Sequence, residues 1–94
     1  MNLEFFNKYI VEFLGTFLIA LTIFTTGGNF LAIGAALAIA VFFGGKISGG
    51  AFNPAIAICF AVANKISYND LIPYLVVEIL GGLVGYFLAL RLIK

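Results

Sequence analysis

The stretch Ile47-Ser48-Gly49-Gly50-Ala51-Phe52-Asn53-Pro54-Ala55-Ile56 decides how this chain is read. Proline fixes φ and lacks an N–H donor, so it suits the first position of a helix. Asparagine immediately before it is a strong N-cap. A helix is therefore expected to start at Pro54. The apolar run that follows, Ile56 to Ala63, stops at Asn64-Lys65. From Pro54 to Ala63 such a helix rises about 15 Å, half of a bilayer core of about 30 Å. Upstream, glycines at 44, 45, 49 and 50 bracket Lys46, Ile47 and Ser48. Glycine loses the most backbone freedom in a helix, so regular helix is expected to end before this segment.

The rest of the chain sets this short helix in a membrane. Of 94 residues, 64% are hydrophobic and 10% are charged, against about 25% charged in a soluble domain. Histidine is absent and there is one cysteine, which excludes a His/Cys metal cluster, a Ser-His-Asp triad and an internal disulfide. A net charge of +1 offers no basic patch for nucleic acid. No activated nucleophile, metal set or phosphate-binding motif is present, so neither an enzyme nor a cofactor is expected. At about 20 residues per span, three spans and their connections fill the chain.

The first span covers about residues 9–26, from Tyr9 to Thr26, and is interrupted only by Glu12. Residues 1–8 set Lys8 against Glu4, and no small-x-small cleavage site follows the run, so it does not read as a signal peptide. Thr25-Thr26-Gly27-Gly28-Asn29 is a turn signal. The second span is expected over about 30–45, and the re-entrant loop and half-helix over about 46–64. The third covers about 70–93, with Asp70 as N-cap, Pro73 in the first turn, apolar residues from Leu75 to Ile93, and Arg91 and Lys94 snorkelling at a surface. The expected fold is an all-α, multi-pass integral membrane protein, a single unit over 1–94 in a cell (plasma) membrane. It has three transmembrane helices and one re-entrant half-helix.

A helix starting at the bilayer midplane points roughly half a positive charge into the membrane centre. Irregular backbone at that depth is tolerated only where it is buried in protein or lines a water-filled cavity. Asn53, Pro54 and Ala55 are accordingly expected at a pore centre, with Ser48, Gly49, Gly50, Ala51 and Phe52 as the pore-lining loop. Loop acceptors and the Asn53 amide suit neutral polar molecules, and the positive helix end repels cations and protons. In the plainer alternative, Asn53-Pro54 caps an ordinary buried helix after an ordinary loop.

The same ten residues resemble the signature loop of the aquaporin and glycerol-facilitator family. Glu12-Phe13-Leu14-Gly15-Thr16-Phe17 resembles that family's first helix, and Gly81, Gly82 and Gly85 sit where its third helix is glycine-rich. The resemblance covers one half of a family member. It implies two three-helix halves in inverted orientation, with both half-helices meeting at the pore centre. The family's first-half loop usually has histidine at the position of Ala51. Its second-half loop carries a filter-lining arginine at the position of Ile56. Spacing back from Asn53 places Ile33 and Val41 at helix positions of that filter, with Gly50 as the loop contributor. None of Ile33, Val41, Gly50 and Ile56 bears a side-chain hydrogen-bonding group, so the filter is expected to favour glycerol-like solutes or to dewet.

Glu12 lies within a span, where carboxylates are rare and face the bundle interior. It reads either as a proton-coupling site or, as the resemblance implies, as a buried acceptor for loop backbone near Asn53. Glu78 is treated in the same way, at a position where the family more often has glutamine. Gly81-x-x-x-Gly85 is a helix-packing motif, and Gly34 is expected to be a further close contact. Cys59 is expected to be a small buried hydrophobe. Tyr9, Tyr68 and Tyr74 suit interfacial belts.

Three crossings place Lys8, Lys46 and Lys65 on one side and Arg91 and Lys94 on the other. So weak a bias permits insertion in both directions. The expected partners are the lipid bilayer, water or a small neutral solute, and a second, antiparallel copy of the chain. That copy would complete the pore about a two-fold axis in the membrane plane, as a dimer or as four pores from eight chains. Two other readings stay open. One is a small dual-topology, proton-coupled antiporter using Glu12. The other is a non-conducting half that pairs with a separate second-half protein.

Overall fold

A computed structural model describes residues 4–93, with side chains from residue 6 onward. The expectations placed on the side chain of Glu4 and on Lys94 lie outside these described residues. Four helices follow in order: α1 over Glu4–Thr25, α2 over Phe30–Ser48, α3 over Pro54–Val62 and α4 over Tyr68–Leu92. Three of them, over Phe6–Thr25, Phe30–Ser48 and Tyr68–Leu92, are long and apolar enough to cross a membrane. The longest dimension, 41 Å, matches a bilayer with its headgroup regions, about 40–45 Å.

Helix α1 is central, packing against α4 on one side and α2 on the other, while α3 rests on α4. The α1–α4 seam brings backbone against backbone. A Cβ built on Gly81 would collide with the carbonyl of Phe13, and one on Gly85 would lie 2.6 Å from the Phe17 carbonyl oxygen. Small residues permit this approach, which is how helices associate where lipid is as apolar as leucine. Phe24 on α1 and Tyr86 on α4 meet edge to face at 4.8 Å.

Several expectations are corrected. Helix α2 runs through Gly44 and Gly45 to Ser48 and does not stop near residue 45. Packing overrides propensity here: a Cβ on Gly44 would lie 2.5 Å from Val11 Cγ1, so the absent side chain makes room for α1. The helix ends at Gly49, at φ 94°, where the missing Cβ removes the penalty of left-handed backbone. Helix α4 begins earlier than expected, with Ser67 and not Asp70 as N-cap. Asp70 instead holds Lys8 Nζ at 2.7 Å and accepts the Tyr9 hydroxyl at 2.7 Å. Pro73 consequently lies inside the helix, past its first turn, and gives no N–H to the Asn69 carbonyl. Within this chain Gly34 makes no close contact: a Cβ there would meet nothing within 4 Å. Cys59 is exposed, because α3 buries Ala57 and Ala61, one turn apart, and turns Cys59 outward. Tyr74 does not face a lipid surface but is buried within the protein, 1% exposed.

Candidate functional site

The loop between α2 and α3 hangs on one carboxylate. Glu12 is fully buried, and its Oε2 accepts the Ser48 hydroxyl at 2.6 Å and the Ala51 N–H at 3.2 Å. Its Oε1 accepts the Phe52 N–H at 2.7 Å. Ser48 Oγ also accepts the Gly50 N–H at 3.2 Å, and the Tyr74 hydroxyl donates to the Ser48 carbonyl at 2.6 Å. Elements α1, α2 and α4 thus hold the loop from three directions.

The backbone there is unusual. Gly49, Gly50 and Phe52 all have positive φ, Phe52 at 52°. That conformation is uncommon for a residue with a Cβ. Two features compensate for it: the N–H bond to Glu12, and a slot for the ring. Gly15 on α1 leaves the space that the Phe52 ring occupies, and a Cβ on Gly44 would stand 3.4 Å from Phe52 Cζ. Phe52 is 4% exposed.

After this anchor the chain reverses into α3. Asn53 is the N-cap: its Oδ1 accepts the Ala55 N–H at 2.8 Å, and Pro54 opens the helix. Asn53 is exposed on this chain, and its amide nitrogen has no partner among the described residues. Ala55 and Ile56 are exposed beside it, and Pro54 is half-buried. Ser48, Ala51 and Phe52, expected to line the open face, have side chains turned into the protein instead, each 5% exposed or less. Of the filter candidates, Val41 and Gly50 lie together, with 3.6 Å between Val41 Cγ2 and a Cβ built on Gly50. Ile33 is half-buried.

Glu78 lies within electrostatic reach of Glu12 and of the Asn53 backbone. It is 1% exposed, and neither carboxyl oxygen makes a hydrogen bond among the described residues. Sequence reasoning missed Tyr74 as a support for the loop and Gly15 as the receptor for Phe52. Gly15 carried a signal, since it follows Glu12 by three residues and shares its helix face. No group of three or more metal-ligating side chains occurs among the described residues.

Three helices long and apolar enough to span, with a loop held by a buried carboxylate, define an integral membrane protein. The family model described as major intrinsic protein matches residues 25–94, and the chain belongs to that family. It is 40% identical over 88 residues to the glycerol uptake facilitator protein-like 6 of Lactiplantibacillus plantarum, covering 84% of this chain and 40% of that protein. It is 35% identical over 93 residues to aquaporin Z of Brucella melitensis, covering 84% of this chain and 41% of that protein. Against the lens fiber major intrinsic protein of Gallus gallus it is 34% identical over 93 residues, covering 87% of this chain and 36% of the relative. The chain thus spans about two fifths of the length of these curated relatives. No solved structure matches it.

Proposed function

We propose that the chain forms one wall of a passive membrane channel for water or small neutral solutes, completed by an antiparallel second copy. The carrying observation is the exposed Asn53 amide at the start of a half-length helix. In lipid, a carboxamide with unpaired donors costs several kcal/mol, on the order of the water-to-hydrocarbon transfer of such a group. Water in a pore, or the corresponding amide of a second copy, removes that cost. Helix α3 has 9 residues, about 13 Å of rise, which sets Asn53 near mid-bilayer if Lys65 lies at a surface. The helix then re-enters the side from which the loop came. Asn53, Pro54 and Ala55 form the pore centre, with the positive end of α3 disfavouring cations. Val41, Gly50, Ile33 and Ile56 contribute an uncharged constriction suited to glycerol-like solutes.

The names of the relatives, a glycerol uptake facilitator and an aquaporin, agree with this reading. The role given to Glu12 is to position the loop. Both its oxygens are engaged by loop donors, as a loop-positioning acceptor would be. Pairing of the chain with a separate second-half protein is distinguished by using the purified chain alone. Stopped-flow swelling of vesicles holding that chain is expected to show water and glycerol permeation, abolished by Asn53→Asp and by Ala55→Trp. Unchanged permeation in both variants removes the pore assignment, and no permeation by the unaltered chain removes self-sufficiency.

A further inference from the structure

Three of the chain's lysines converge at one end of the helices. Lys8 of α1, Lys46 in the last turn of α2 and Lys65 between α3 and α4 line one cavity of about 350 Å³, together with Ser67, Asp70 and Tyr74. Only one of these charges is answered. Asp70 pairs with Lys8 at 2.7 Å and takes the Tyr9 hydroxyl on its other oxygen. No carboxylate is paired with Lys46 or Lys65 among the described residues. Lys65 rests its ammonium 4.2 Å above the Phe60 ring, which orients the charge without neutralising it. Both lysines are exposed.

The cavity therefore presents two uncompensated ammonium groups beside the start of α4, with the Tyr74 hydroxyl committed to the Ser48 carbonyl. Ser67 makes no side-chain cap bond to that helix, and its carbonyl accepts the Asp70 N–H at 3.0 Å. Its walls also include Ile47 and Ile66, and Ile47 is 49% exposed. The spanning helices end here, so an occupant with an anionic head and an apolar body fits both parts of the wall. A free anion would use only the lysines.

We infer that this cavity binds the phosphate headgroup of an anionic phospholipid, held by Lys46 and Lys65, with the apolar part of the lipid running along Ile47. The inference does not rest on the pore reading, because the site stands or fails with the lysines and not with Asn53. Basic pockets between spanning helices attract anionic headgroups, with about 1 kcal/mol for each cation near the surface.

The test uses the purified full chain in neutral detergent, titrated by calorimetry with short-chain phosphatidylglycerol, short-chain phosphatidylcholine or inorganic phosphate. Phosphatidylglycerol is expected to bind, and the Lys46→Gln/Lys65→Gln double variant to bind it roughly thirtyfold more weakly, about fivefold for each lysine. Arg91→Gln is expected to match the unaltered chain. Equal binding of phosphatidylcholine, or full affinity in the double variant, overturns the site. Inorganic phosphate binding as tightly as phosphatidylglycerol overturns the lipid assignment. A salt titration of the unaltered chain tests the site without any variant: affinity falls with rising salt if the lysines act, and constant affinity contradicts the inference.

Discussion

The α1–α4 seam and the outward face of α2 have similar composition and opposite surroundings. In the seam, Gly81 and Gly85 bring α4 onto the backbone of α1 with no space for a methyl group. On α2, Phe30, Leu31, Phe42 and Phe43 are each more than two-thirds exposed, and Gly34 faces open space. The contrast shows which contacts the chain completes by itself. Lipid can cover the apolar face of α2 without penalty, but it cannot cover Asn53. With Asn53 at the proposed membrane depth, the exposed amide, more than the exposed apolar area, is what calls for a partner or a water column.

This contrast can be broken by substitution. Glu12→Leu is expected to do the most damage, because it orphans Ala51 N and Phe52 N together and leaves Ser48 Oγ only its longer bond to the Gly44 carbonyl. At about 1–3 kcal/mol for each unsatisfied buried donor, the two backbone donors alone cost about 2–6 kcal/mol. Thermal unfolding in detergent reads that loss, and vesicle permeation is expected to vanish with it. Gly81→Ala comes next, at about 1–3 kcal/mol of overpacking as α4 is pushed off Phe13. The same change at Gly34 sharpens the comparison: Gly34→Ala is expected to leave the single chain unharmed or to stabilise it by up to about 1 kcal/mol. An equal loss at both positions would show that α2 is as tightly enclosed as the seam. Glu78→Gln is the mildest, with a change below about 1 kcal/mol. It removes a buried acid that makes no hydrogen bond among the described residues and keeps the shape of the side chain. A loss of several kcal/mol in Glu78→Gln would mean that the acid itself supports Glu12.

What was legible in the sequence was local chemistry. Asn53-Pro54 announced a helix start through capping rules, and α3 begins at Pro54 with Asn53 as its cap. The run lengths gave three helices able to span. What the sequence concealed depends on which face meets which neighbour. Propensity stopped α2 at its glycines, whereas Gly44 is tolerated there because Val11 needs the space. Asp70 looked like a cap until Lys8 and Tyr9, more than sixty positions away, claimed its oxygens. Tyr74 and Cys59 exchanged their expected burial because the packing of α3 on α4 set both. For the loop, the sequence identified the residues but not their direction: Phe52 and Ser48 point inward to Gly15 and Glu12, and Asn53 alone presents a polar side chain outward at the start of α3.

Whether the open face is covered by an inverted copy is decided by orientation. A tag on either terminus of the chain, inserted into vesicles and reacted with a membrane-impermeant label before and after permeabilisation, counts the copies facing each way. Pairing of antiparallel copies predicts that about half of each tag is accessible from outside, with both orientations recovered in one cross-linked dimer. A single orientation shared by every copy would contradict it.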